Sequence, residues 1–142
     1  MNTERKNPVP QGKYAPAVRR GELIFTAGMT PRRDGVLLLA GRVRASEPLE
    51  TYREAVRLAA ANALTAAQNM LADGERIAQV LSLSVFICAE PDFTAHAKLA
   101  DFASEYLDAE LGAAGAAART SVGVATLPGG APVEIQMICA AE

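Results

Sequence analysis

Few side chains in this 142-residue sequence combine the types and spacing that chemistry needs. His96 is its one histidine, and Cys88 and Cys139 are its two cysteines, too few ligands to fill a four-coordinate zinc site. A lone histidine among apolar neighbours is most often structural or superficial. A cysteine with no histidine nearby is more often a small buried residue than a nucleophile. There is no Walker loop, no dinucleotide fingerprint and no sharply spaced carboxylate pair. Arg119 stands apart. It follows seven consecutive Ala and Gly residues, opens a β-branched run, and is the only basic residue after Lys98. Glu134 lies inside an apolar run that the sequence places across a hairpin from Arg119. Two readings fit such a pair: a structural ion pair, or a clamp for an anionic ligand, because a guanidinium grips a carboxylate with two parallel hydrogen bonds. The pattern alone favours the structural pair.

The elements that must hold these residues follow from periodicity. Residues 1–16 carry Pro8, Pro10, Gly12 and Pro16 and read as irregular. Residues 17–28 read as two short strands about a turn at Gly21-Glu22, ending at Gly28. Pro31 to Gly35 is a polar turn, and Val36 to Val43 a further strand. Ser46 reads as the N-cap of a helix over 47–72, whose apolar stripe runs from Leu49 through Tyr52, Val56 and the alanines to Leu71. Val80 to Cys88 is apolar on both faces, as an interior strand is. Pro91-Asp92 opens a second helix that Gly112 ends, and two strands follow, 120–125 and 133–139. The order predicts an α+β domain spanning 1–142, with two helices on one face of a mostly antiparallel sheet. The sheet's other face carries apolar residues as well as Glu134 and Gln136, so another subunit is its simplest cover.

Composition excludes several classes. Half the residues are hydrophobic while 29 of them are alanine, so the apolar half is built mostly of small side chains. That is no disordered tail, and no apolar stretch approaches the ~20 residues of a membrane span. With no charged-then-apolar leader, the default location is the cytosol. Residues 1–44 hold nine Lys/Arg against three Asp/Glu, and the remainder five against thirteen. The net charge of -2 argues against nucleic acid, which needs a concentrated positive field.

Several segments, taken together and in order, resemble one family. They are Gly12-Lys13-Tyr14, then Gly21 through Gly28 (GELIFTAG), Asn62, Arg119 opening its strand, and Leu127 through Ile135 (LPGGAPVEI). The chain resembles the Rid family of reactive intermediate deaminases, also called YjgF-like or L-PSP endoribonuclease-like proteins, over about Pro10 to Ala140. Arg32-Arg33-Asp34-Gly35 and the Gly123-to-Pro128 segment look like a divergent branch. The resemblance implies a chorismate-mutase-like fold. It also implies a homotrimer whose three sheets pack inward as a barrel, with ligand clefts between neighbouring subunits. The implied chemistry is hydrolysis of enamines and imines such as 2-aminoacrylate to a 2-keto acid and ammonia, with no metal or cofactor.

Carried over residue by residue, Arg119 matches the arginine that binds the substrate carboxylate, and Glu134 the acid that orients or activates water. Tyr14 matches a tyrosine lining the cleft, and Gly28 a glycine that lets the ligand approach closely. Three positions depart. Ala27 stands where active members commonly have Ser, Ser121 where many have Cys, and Gly123 where a bulkier, often acidic residue is usual. These departures motivate an alternative, a non-enzymatic binder of small carboxylates. RNA cleavage, named in the family's other title, has little support here: one histidine and few aromatics for stacking bases.

Overall fold

Apolar residues at alternate positions dictate the sheet. From Val133 onward every second side chain of the last strand is buried, as a strand with one core face requires. The computed structural model describes residues 6–142. Among these, strands β1 (Ala17–Arg20), β2 (Leu23–Thr26), β5 (Ile77–Cys88), β6 (Ala118–Val124) and β7 (Val133–Ala141) form one mixed sheet, ordered β1-β2-β7-β5-β6. Strands β3 (Arg32–Arg33) and β4 (Val36–Leu37) form a separate hairpin. Helices α1 (Arg53–Gln68) and α2 (His96–Leu111) cover one face. Ile24, Val80, Leu83, Val85, Ile135 and Met137 of the sheet join Val56, Leu64, Leu99 and Leu107 of the helices in a single core. Alanines 59, 60, 63, 66 and 67 of α1 are fully buried in it, so the small side chains are packing residues rather than surface filler. The α+β class and the two-helix layer expected from the sequence are both present.

Four local expectations are corrected. The strand expected over 36–43 stops at Leu37: across a tight hairpin that Asp34 and Gly35 close with positive φ (53° and 82°), it pairs only with the two residues of β3. Only Val43 rejoins, as a parallel bridge to Ala89. Ser46 does not cap α1. Pro48 leads into a single 3-10 turn over Leu49–Tyr52, and α1 begins at Arg53. The second helix starts at His96 rather than at Pro91-Asp92, because Pro91 and Asp92 form a turn closed by the amide of Phe93 on the carbonyl of Glu90 (3.0 Å).

The fourth correction matters most. β6 and β7 are not a hairpin. β5 lies between them, parallel to β6 and antiparallel to β7. Strands joined through a helix pair in parallel, and α2 is that crossover between β5 and β6. β5 is thus an interior strand as expected, and β6 is an edge.

The face away from the helices carries exposed Val18, Phe25 and Val122, with Glu134, Gln136 and Ile138 half-buried among them. Thr26, at the end of β2, is buried. Its hydroxyl donates to the Ala27 carbonyl (2.9 Å) and accepts the Met137 amide (3.1 Å), so no polar atom is stranded there. No helix among the described residues is long and apolar enough to cross a membrane.

Candidate functional site

Glu134 owes its setting to two backbone bonds. The amide of Met29 donates to the carbonyl of Ile135 (2.7 Å), and that of Ile135 to Met29 (2.8 Å). This bridge lays the segment after β2 across β7 and presses Gly28 onto the Glu134 carboxyl. A Cβ at position 28 would lie 2.5 Å from Oε2 and 2.8 Å from Cδ, so only glycine fits without displacing the acid. Among the described residues the carboxylate has no hydrogen-bond or ion-pair partner, and partial burial raises its pKa. An unpaired, half-buried carboxylate with a raised pKa has the makings of a general acid/base.

Gly28 also lines a cavity of about 240 Å³ whose other walls include Tyr14, Met29, Arg32 and Asn62. Asn62, on α1, donates from Nδ2 to the carbonyls of Thr30 (3.1 Å) and Arg32 (2.9 Å), fixing the hairpin that forms one wall. Tyr14 is half exposed, and its hydroxyl accepts the Gln11 amide (2.9 Å). Ala27 is partly buried against the core and donates its amide to the Pro16 carbonyl (2.8 Å). Tyr14, Ala27, Gly28 and Glu134 are therefore neighbours through one short segment of chain.

Arg119 and Ser121 lie elsewhere. Arg119 pairs in register with Leu83, itself opposite buried Met137, so its side chain is on the helix side of the sheet. Glu134 pairs with Phe86, out of phase with Leu83, and so belongs to the open face. Two strand spacings, roughly 10 Å, also separate β6 from β7. The expected juxtaposition of Arg119 and Glu134 across a hairpin is thereby overturned by the parallel crossover. The carboxylate that meets Arg119 is Asp101 (Nη1–Oδ1, 2.8 Å). Ser104 Oγ (2.9 Å) and the Ala97 carbonyl (3.1 Å) complete the set, all from α2. Sequence reasoning missed these partners, although Ala97, Asp101 and Ser104 fall at helical spacing on one face. Among the described residues no three His, Cys, Asp or Glu side chains gather as a metal-binding group.

With this geometry in hand, the family model for Endoribonuclease L-PSP matches residues 4–141. The chain belongs to that family. It is 32% identical over 130 residues to Protein TCP17 of Trypanosoma cruzi, covering 91% of this chain and 81% of that protein. The crystal structure of Atu1372 from Agrobacterium tumefaciens, a protein of unknown function, superposes with a TM-score of 0.82 at 29% identity, covering 94% of this chain and 86% of its own. A putative endoribonuclease from Shewanella oneidensis gives 0.84 at 26% identity, covering 97% and 91%.

Proposed function

We propose that the chain is a cytoplasmic, cofactor-independent hydrolase of reactive enamines and imines, converting 2-aminoacrylate-like compounds to a 2-keto acid and ammonia. The observation that carries this reading is Glu134: unpaired, half-buried, raised in pKa, and covered by the one residue type that leaves room beside it. In the imine tautomer, water adds to the C=N carbon as Glu134 takes its proton. The nitrogen then receives protons, the C–N bond breaks with release of ammonia, and the carbonyl forms. Arg119 holds the substrate carboxylate. Three of its five guanidinium N–H groups go to α2, which leaves two for a ligand.

Arg119 and Ser121 lie on a different face from Glu134, so a complete site takes these groups from different copies of the chain. We therefore propose a homotrimer with the clefts between subunits. The uncovered Val18, Phe25 and Val122 of the open face support it. The test is ammonia release from freshly generated 2-aminoacrylate, with the oligomeric state followed by light scattering. Arg119→Ala should abolish release while the trimer persists, and a wild type no faster than spontaneous hydrolysis overturns the reading. A second reading, binding of small carboxylates without turnover, draws on Ala27, which offers no hydroxyl, and on the engagement of Arg119 with α2. Calorimetric binding of 2-keto acids with no ammonia release would favour it.

A further inference from the structure

A second concavity, of about 370 Å³, opens on the helix side of the sheet where β5 and β6 end. It is bounded by Arg42, Glu90, Phe93, His96, Gly123 and Val124. Its geometry begins with Gly123. A Cβ there would lie 2.9 Å from His96 Nε2, so the imidazole fills the space a side chain at 123 would take. The ring is set edge-on to Phe93, with centroids 5.1 Å apart and planes at 69°. Among the described residues neither imidazole nitrogen has a hydrogen-bond partner. Arg42 spans the concavity, donating from Nη1 to the Ala89 carbonyl (3.2 Å) and from Nη2 to the Ala125 carbonyl (2.6 Å). Those two bonds fix the guanidinium and leave three of its five N–H groups unused. Glu90, the one acid in the lining, is paired with Arg44 (3.4 Å). The local field is therefore positive, while Phe93 and Val124 supply an apolar wall.

We propose that this concavity binds a small monocarboxylate, with the carboxylate bridging Arg42 and His96 and the apolar body against Phe93 and Val124. A guanidinium with free N–H groups beside an imidazole donor matches a carboxylate's two oxygens. The site is separate from Glu134, which faces the other side of the sheet.

The chain's single histidine makes the test direct, because it gives one imidazole Hε1 resonance. Benzoate, titrated into the full-length protein, should shift that resonance saturably with a dissociation constant of about 1 mM or tighter. Arg42→Gln, at an exposed side chain, should weaken binding about tenfold, the scale of one charge-assisted hydrogen bond. Gly123→Val should abolish the shift by expelling the ring. Calorimetry should find benzoate binding about tenfold weaker in His96→Ala than in the wild type. Arg119→Ala should leave the benzoate shift intact, which separates this site from the carboxylate site proposed at Arg119. If Gly123→Val fails to fold, Arg42→Gln and His96→Ala carry the test. No saturable shift, or a shift unchanged in Arg42→Gln, overturns the proposal.

Discussion

Two glutamates show the same side chain put to opposite uses. Glu75 sits where the turn after α1 meets the β1–β2 corner. Its carboxylate takes both ends of the Arg19 guanidinium (2.6 and 2.8 Å) and the Ala72 amide (2.7 Å). The hydrogen bond from Arg19, aided by the Ala72 amide, pulls its pKa from 4.5 to about 2. Arg19 in turn donates to the carbonyls of Gly21 and Met70, so the network ties three segments together. Among the described residues Glu134 has no such partners, and burial moves its pKa the other way. One acid is satisfied and locks the fold. The other is left unpaired among the described residues at a cost in stability, the arrangement that the proposed chemistry would need.

The contrast can be broken most forcefully at Glu134. Glu134→Gln should cut ammonia release by ~10²–10⁴-fold, the range for losing a general acid/base. Its melting temperature should stay equal to the wild type's or rise, because the desolvated charge is gone. Gly28→Ala should follow at ~10²-fold, since its Cβ must push the carboxylate out of place; a crystal structure of the variant would show the displaced acid. Glu75→Gln should do the reverse, lowering the melting temperature by several degrees with turnover unchanged.

The pH dependences have opposite signs. Glu75 has a depressed folded pKa, so its stabilisation is complete above pH 4.5 and is lost as pH falls toward 2. Glu134 has a raised one, so it costs stability at neutral pH and that cost fades on acidification. Acid titrations of the two Gln variants, followed by circular dichroism, should therefore bend in opposite directions relative to wild type. The smallest effect concerns Cys139, buried beneath the helices, whose thiol burial pushes up to about 12. A disulfide reagent should leave it unlabelled until the chain is unfolded.

Much of this was legible in the sequence. The alternation in β7 and the interior character of β5 were plain from β-branched and apolar residues, and the alanine stripe of α1 from its helical period; β5 itself begins three residues earlier than read, at Ile77. The Gly28 and Glu134 positions were marked by the family segments. What local pattern cannot convey is which strands become neighbours. Residues 120–125 and 133–139 are close in sequence, so a hairpin was the natural expectation, yet the α2 crossover sets β6 beside β5. That one long-range pairing moved Arg119 to the far face and gave it Asp101 in place of Glu134. The His96–Gly123 contact was hidden for the same reason: a lone histidine acquires meaning only when a distant glycine makes room for it.

The parallel crossover has one more consequence. Among the described residues β6 pairs on one side only, and its sole charged residue, Arg119, is turned under α2. The outer edge of Ala118–Val124 thus presents backbone donors and acceptors with no lysine, proline or acid to repel another strand. Such an edge is a template for β-addition. A lysine at Thr120 or Val122, both outward-facing on β6, would turn the template into a guarded boundary.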